Sequence, residues 1–383
     1  MKNKFFKVTI FVTLLSIITT ARSFGQVDYQ DLVNIIPTAV PFVSLMPDSR
    51  SSGMGGVGAA TAPDFYSQYW NPAKFAFIEK DFGVGVAFTP WLRHLGVKDI
   101  NLYNLTGFYR IDELQGVSAS LRYFSVGNIT YRQSAEDVGY DVSPNEFAID
   151  LAYNRALSEH FAGSIAFRYI RSDLNVGSGG AENMQPGNSF AADLAFYFRT
   201  PIRLSGQDAQ LSAGLNVSDV GSKISYDGDN REFIPTNMRL GVALQTEMDA
   251  YNSITVSVDA NKLLVPTPHK KAEDETVESY QQFYNSMGTL KGMFRSFNDA
   301  PGGFKEELQE VSLSAGLEYW YDKQFALRAG YYYENKYKGN RSHFSAGLGL
   351  RFNMLTLDAS YLIAPSTNPL ANTIRFSLGI DIK

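Results

Sequence analysis

Apolar and polar side chains alternate along much of this chain, in runs of about ten residues. The clearest run extends from Phe344 to Phe352, with Phe, Ala and Leu at the even positions and Ser, Gly and Arg at the odd ones. Alternation with a period of two places every second side chain on the same face of a β-strand. In a soluble sheet the apolar faces meet in a core, whereas a transmembrane barrel turns them outward to lipid.

Similar runs, separated by clusters of Gly, Pro, Asn and Asp, recur from residue 80 to the end of the chain. They predict about fourteen strands, and an even number is usual for single-chain bacterial outer-membrane barrels. The predicted strands are 80–90, 101–111, 115–126, 146–157, 160–172, 188–199, 208–218, 236–247, 251–262, 309–320, 323–335, 341–352, 354–364 and 371–382.

Short and long connections alternate between these strands. Tight turns are predicted at 111–115, 157–160, 247–251, 321–324 and 352–355. The connections between those turns are long and polar. In outer-membrane barrels the short turns face the periplasm and the long loops face the cell surface. We therefore predict an all-β fold, a transmembrane antiparallel β-barrel of residues 80–383, whose longest surface loop is 263–308.

The two faces of the predicted strands differ in charge. Aliphatic and aromatic residues such as Val84, Leu121 and Phe376 fall on the outward face. Charged residues of both signs fall on the inward face: Arg122, Asp150, Asp193, Arg239, Asp259, Asp358 and Arg375. Mixed signs predict ion pairs and hydrogen bonds that fill a narrow lumen, because buried charges need partners. A pore selective for one charge would show one sign.

Residues 1–25 have the pattern of a secretory signal peptide. Three lysines precede an apolar run from Val8 to Thr20, and Ser23 and Gly25 are small residues before a cleavage site ahead of Gln26. The apolar run is shorter than the ~20 residues that a transmembrane helix needs. We therefore expect export, and location as a multi-pass barrel in the outer membrane.

Composition excludes several classes of function. The chain has 34 Lys and Arg against 39 Asp and Glu, which argues against a nucleic-acid partner. It has no cysteine, and so neither disulfides nor a thiolate metal site. Aromatic residues make up 14% of the chain, as expected for a barrel with aromatic girdles in contact with outer-membrane lipid.

Residues 26–79 precede the first strand and do not alternate. A long segment that is apolar and rich in glycine, but has no strand pattern, is typical of a hatch inside a barrel mouth. Its motif residues are Arg50, Gly53, Gly55, Gly56, Trp70, Asn71, Pro72 and Ala73. The glycines also satisfy G-x-G-x-x-G, but no strand precedes them as the dinucleotide fingerprint requires. We therefore expect no cofactor there, and glycines that pack the backbone against the barrel wall.

We predict no catalytic or metal-binding residues. The four histidines, His94, His160, His269 and His343, are isolated, and no other ligand stands at metal-binding spacing. The G-x-S-x-G motif of hydrolases is absent. Loop acids such as Asp137 and Asp227 are interpreted as solvated charge, which leaves a surface hydrolase without an assembled site.

The long surface loop contains an amphipathic segment. Its apolar residues fall at steps of three and four, as on one face of a helix. They are Tyr280, Phe283, Tyr284, Met287, Leu290, Phe294 and Phe297. Gly288 and Gly292 weaken such a helix by about 1 kcal/mol each. Two interpretations stay open: a lid folded over its own barrel, or an exposed surface that binds a partner.

Two blocks before the barrel, Pro41–Thr61 and Gln68–Ala76, carry a family resemblance. They resemble the N-terminal region of PorV (LptO) proteins, outer-membrane components of the type IX secretion system of Bacteroidota. The element Asn71-Pro72-Ala73 is also similar to one in the hatch of the wider FadL-like barrels, which share the fourteen-strand count.

The resemblance implies a non-enzymatic role in protein secretion. Proteins of this kind dock to a translocon similar to SprA (Sov) and bind the C-terminal signal domain of exported cargo. They deliver that cargo to a peptidase similar to PorU. The alternative is a FadL-like channel for hydrophobic small molecules. Such a channel needs an apolar cavity with few polar groups, whereas the inward positions here are rich in charge.

Overall fold

The computed structural model describes residues 34–93, 96–132, 137–174, 185–269, 277–365 and 372–382. The predicted signal peptide and the first residues of the predicted hatch lie outside this range, as do the side chains of residues 277–281. Among the described residues, no helix is both long enough and apolar enough to cross a bilayer.

The strands form a closed antiparallel barrel. They are β1 Phe82–Pro90, β2 Asn101–Arg110, β3 Gln115–Ser125, β4 Ile129–Tyr131, β5 Tyr140–Val142, β6 Asn145–Ala156, β7 Phe161–Asp173, β8 Gly187–Leu204, β9 Gln207–Gly221, β10 Asn237–Glu247, β11 Asn252–Leu263, β12 Val311–Tyr321, β13 Phe325–Tyr333, β14 His343–Phe352, β15 Leu355–Ile363 and β16 Thr373–Ile382. All except β4 and β5 belong to the barrel, which therefore has fourteen strands and confirms the predicted fold.

The barrel closes through its first and last strands. β1 pairs with β16 from Phe82 opposite Ile382 to Phe88 opposite Phe376. Every other barrel strand pairs with its neighbours along the chain, apart from β4 and β5, which form a separate hairpin in the connection between β3 and β6. No barrel strand is left with a free edge, as a lipid environment requires.

Short helices lie before the barrel and in its longest loop. They are α1 Ser49–Gly53, α2 Ser67–Trp70, α3 Val277–Ser286, α4 Thr289–Arg295 and α5 Phe304–Gln309, with 3-10 helices at Pro41–Ser44 and Pro72–Phe77. The first two helices and both 3-10 helices precede β1. The last three lie between β11 and β12, on the side of the barrel that carries the long connections.

The alternation of short and long connections agrees with the sequence, with one addition. A sixth tight turn joins β8 and β9 through Ser205 and Gly206, whose φ angles are 53° and 85°. Two successive residues with positive φ are typical of a two-residue hairpin turn. The sequence interpretation ended this strand at residue 199, before Pro201. In the structure Pro201 continues the strand opposite Gln210.

The two faces of the strands differ as the alternation predicts. Outward-facing Leu121, Leu240 and Phe376 are exposed by 40 to 54%. All seven charged residues assigned to the inward face are buried, with Arg122 and Arg375 each 1% exposed. The apolar residues therefore face lipid, and the charged residues line the lumen.

Candidate functional site

The segment before the barrel, residues 34–79, is called here the hatch segment. It bonds to inward-facing side chains of several strands. The amide of Gly55 donates to Ser345 Oγ of β14 at 2.8 Å. The amides of Gly58 and Ala59 both donate to Asp259 Oδ2 of β11, at 2.8 and 2.9 Å. The segment therefore contacts the inner wall on more than one side.

Arg50 of α1 joins the hatch segment to a chain of buried charges. Its Nη2 and Nε atoms lie 2.8 and 3.0 Å from the two carboxylate oxygens of Glu318. Its Nη1 lies 2.8 Å from Asp64 Oδ2. Glu318 also accepts from Arg328 Nε at 2.7 Å, and Arg328 Nη1 donates to Asp358 Oδ1 at 2.6 Å. Paired contacts of this kind are directional and strong, so α1 is held against β12, β13 and β15.

The glycines of the hatch motif lie where the backbone meets the wall. A β-carbon on Gly55 would stand 2.6 Å from the Tyr331 nitrogen, and one on Gly53 would stand 3.0 Å from the Gly347 Cα. Gly55 and Gly56 also have φ angles of 71° and 82°, which favour glycine. This agrees with the expectation of close packing.

The second half of the hatch motif is held by hydrogen bonds. Asn71 Oδ1 accepts from the Ala73 amide at 3.1 Å and caps the 3-10 helix that Pro72 begins. Asn71 Nδ2 donates to the carbonyl oxygen of Phe196 in β8 at 2.9 Å. Trp70 is fully buried. These residues fasten the hatch segment to β8, four strands away from the strand of Glu318 in the barrel order.

A second charge network lies among β6, β7, β8 and β9. Arg168 bonds to Asp150, Asp219 and Asp193, the last at 2.9 Å. Arg122 Nη2 lies 3.6 Å from Asp150. The sequence interpretation included Asp150, Asp193 and Arg122, but not Arg168. Strand parity alone, continued along β7, would have found it.

The apolar stripe of the long loop is not one helix, and that expectation is wrong. The stripe is divided between α3 and α4, and Phe297 follows the end of α4. Gly288 stands between the two helices in an extended conformation, with φ −68° and ψ 150°. Glycine is a poor helix former, which explains the break. Tyr280 belongs to α3, but its side chain lies outside the described residues.

The two halves of the stripe have different surroundings. Met287 is buried in an apolar cluster with Phe233 and Val265, and Phe283 and Tyr284 pack against the same cluster. Three later residues are exposed, by 60, 71 and 47%: Leu290, Phe294 and Phe297. These three are called here the α4 apolar surface. The first half of the stripe therefore suits the interpretation as a lid, and the second half suits the interpretation as an exposed partner surface.

Ion pairs fasten α5 to the rim of the barrel. Lys262 Nζ lies 3.0 Å from Glu307 and 2.6 Å from Glu310. Lys338 Nζ, in the connection between β13 and β14, lies 2.6 Å from Glu306 and 3.0 Å from Glu310. Both lysines are at most 8% exposed. Water therefore screens these ion pairs less than ordinary surface pairs, and the attraction between the charges is stronger.

Asp299 lies between α4 and α5, and its neighbours stabilise the negative charge of its carboxylate only weakly. Its Oδ2 accepts from the Thr267 amide at 3.2 Å and lies 3.7 Å from Arg295 Nε. Its Oδ1 has no hydrogen-bond partner among the residues that the structure describes. Burial raises the pKa of Asp299 to about 6, and the nearby Glu307 and Glu310 act in the same direction.

In the part of the chain that the structure describes, no group of three His, Asp or Glu side chains is arranged to hold a metal ion. His94 lies outside the described residues. His160, His269 and His343 each contact an aromatic ring, of Phe198, Tyr284 and Tyr332 respectively.

Comparison with known proteins gives one family match. The family model described as "Type IX secretion system protein PorV" matches residues 28–270. That range includes the hatch segment and the strands from β1 to β11. No curated protein matches the chain.

Several solved structures have a similar fold. The toluene transporter TodX of Pseudomonas putida is 10% identical with a TM-score of 0.48, over 86% of this chain and 96% of that one. The toluene transporter TbuX of Ralstonia pickettii is 10% identical with a TM-score of 0.43, over 87% and 96%. A FadL homologue of Pseudomonas aeruginosa is 12% identical with a TM-score of 0.42, over 91% and 100%. The likeness is one of fold alone, and no functional conclusion rests on it.

Proposed function

Since this chain belongs to the PorV family of the type IX secretion system, we propose that it is a docking component of protein secretion, without catalytic activity. It is an outer-membrane β-barrel. On this proposal its surface loops contact a SprA (Sov)-like translocon and bind the C-terminal signal domain of exported cargo. The cargo then passes to a PorU-like peptidase. Residues 26–79 serve as the hatch, and residues 80–383 as the barrel that holds the loops in place.

The α4 apolar surface is the observation that carries this proposal. Leu290, Phe294 and Phe297 are exposed in the connection between β11 and β12, on the side of the barrel that carries the long connections. Large apolar side chains that project together from a surface loop are typical of protein interaction sites. Aromatic residues are also enriched where binding energy is concentrated.

The charged inner wall of the barrel supports docking over transport. Buried ion pairs centred on Arg50 and on Arg168 occupy the inner wall. A channel for hydrophobic molecules needs an apolar cavity with few polar groups. An apolar hollow of about 650 Å³ does exist, but outward-facing residues such as Leu105, Leu357 and Leu378 line it. It opens toward lipid.

The test replaces the α4 apolar surface. A Leu290→Ser, Phe294→Ser, Phe297→Ser variant keeps the barrel and the ion pairs of α5, and should reach the outer membrane. Removing one central aromatic contact from an interface commonly costs about 2 kcal/mol or more, roughly 30-fold in affinity. Purification in a gentle detergent followed by mass spectrometry should therefore recover much less translocon with the variant. Secretion of cargo should fall as well.

The matched control changes polar neighbours in the same segment. Lys291→Ser with Asn298→Ser alters two exposed residues and leaves the three apolar ones. This control should bind and secrete like the parent. Unchanged recovery of the translocon with the apolar variant would contradict the assignment of this surface. Recovery of lipid without any protein partner from the parent would contradict the docking function itself.

A further inference from the structure

Aromatic side chains form a belt around the extracellular end of the barrel wall, with one gap. Ten strands carry an outward ring within four residues of their extracellular end: Phe88, Tyr103, Tyr123, Phe147, Tyr169, Phe190, Tyr331, Phe344, Tyr361 and Phe376. Neighbouring rings are close, with centroids 5.3 Å apart for Phe88 and Tyr103 and 4.6 Å for Tyr331 and Phe344. Such belts mark the level of the lipid headgroups.

The gap covers β9, β10, β11 and β12. The extracellular ends of these four strands, residues 215–221, 237–241, 259–263 and 311–315, contain no aromatic residue. The outward positions there are apolar but not aromatic, apart from Lys262. At headgroup level this part of the wall therefore lacks the side chains that the rest of the barrel uses.

Lys262 places α5 against the outside of the wall at β11, within this gap. Along β11 the exposed residues Val256 and Val258 face outward, and Asp259 faces the lumen. Lys262 shares the outward parity of the two valines, yet it is only 7% exposed. Its partners are Glu307 and Glu310 at the end of the loop. The acidic face of α5 therefore lies against the outer side of the rim.

The opposite face of α5 is apolar and uncovered. Phe304 and Leu308 stand four residues apart, so they share one face of the helix. They are 76% and 58% exposed. Leu313 of β12, which follows the helix in the chain, is an outward residue of the lipid-facing wall and is 46% exposed. The helix and the strand that follows it thus both expose large apolar side chains.

We propose that α5 lies in the headgroup region of the outer leaflet, with Phe304 and Leu308 in contact with lipid. The helix supplies the missing aromatic side chain of the belt at β11 and β12. Its acidic face neutralises Lys262 and Lys338. Its apolar face lies at the level of the headgroups, where the other strands carry an outward aromatic side chain. An apolar face beside a charged face suits a helix that rests in the interface. This anchor fixes the level of the long loop relative to the bilayer.

The experiment uses the absence of cysteine in the chain. Single variants Phe304→Cys and Leu308→Cys are labelled with the fluorophore NBD and reconstituted in phosphatidylcholine vesicles that contain a nitroxide-bearing lipid. Leu313→Cys serves as the lipid-facing reference, and Asp229→Cys, on an exposed turn, as the aqueous reference. We expect a loss of fluorescence at positions 304 and 308 close to that at position 313 and well above that at position 229.

Quenching at both positions no greater than at position 229 would overturn the proposal and leave this face to water or to a protein partner. Two labelled positions keep the result independent of damage at either one. The purified chain is measured without secretion partners, so the outcome does not depend on whether the α4 apolar surface binds a translocon.

Discussion

At the scale of single residues, Asp299 links the conformation of the long loop to pH. Its pKa is about 6 in the folded loop, against an ordinary value of 3.8, because burial disfavours the charged form. Between these two values the folded loop binds more protons than the unfolded loop. Its stability is therefore highest at low pH and falls as the pH rises from about 4 to about 6.

Asp299→Asn should remove this dependence. An amide is similar in shape, can still accept from the Thr267 amide, and carries no charge to desolvate. At about pH 8 we expect slower hydrogen–deuterium exchange in residues 289–310 of the variant than of the parent. At about pH 4, where Asp299 is protonated, the two should match.

Asp229→Asn, on an exposed turn, is the control and should equal the parent at both pH values. Equal protection of the Asp299→Asn loop and the parent loop at about pH 8 would show that the carboxylate does not strain the loop.

At the scale of elements, the ion pairs of Arg50 hold α1 against the barrel wall, and α1 in turn helps to hold the hatch segment in place. Arg50→Met keeps much of the side-chain volume but leaves Asp64 without its guanidinium partner and Glu318 with Arg328 alone. Removing one member of a buried ion pair commonly costs about 3 to 5 kcal/mol. We expect a matching loss of stability, measured as the denaturant concentration at which the barrel unfolds, and faster proteolysis within residues 34–79.

Arg203→Met is the matched control, because Arg203 pairs with Asp208 on the surface and its side chain is 84% exposed. This variant should unfold with the parent, since exposed pairs contribute little. Equal stability of the Arg50→Met variant and the Arg203→Met control would mean that α1 is held by packing rather than by charge.

The strands and helices also show which parts of the fold the sequence predicts and which it does not. Alternation predicted every barrel strand, because it records which face of each strand meets lipid. It ended β8 before Pro201, since proline usually marks the end of a strand. It also missed the short hairpin of β4 and β5. The sequence showed Gly288 and Gly292 as two positions that weaken the helix. Which of them breaks the helix depends on the packing of Met287 against Phe233, which the sequence does not show.

The contacts of the candidate site were harder to predict than the strands. Arg50 and Glu318 are 268 residues apart in the chain, and no local pattern identifies them as partners. Parity places Glu318 in the lumen without saying which cation meets it. Likewise, the outward parity of Lys262 would have placed it in lipid. Only the position of α5 explains a lysine there.

At the scale of the whole molecule, the interior of the barrel and its rim carry different kinds of side chain. Charges of both signs occupy the inner wall and bind one another or the hatch segment. Exposed apolar residues also lie on α4 and α5, in the connection between β11 and β12. A docking role requires this division, because a rigid, closed barrel holds the loop at a fixed place and level.

The contacts of the hatch segment with the inner wall lead to a prediction for the whole chain in a planar lipid bilayer. The intact protein should conduct no measurable ion current, since the hatch segment bonds to β8, β11, β12 and β14 across the lumen. Deleting residues 41–77 should open the lumen to water, because Glu318 and Asp259 would lose partners and attract hydration. Deleting residues 289–298 is the control: it removes part of the surface loop, leaves the lumen filled and should stay silent. A current through the intact chain as large as that of the hatch deletion would identify the lumen as a transport path and contradict a docking barrel.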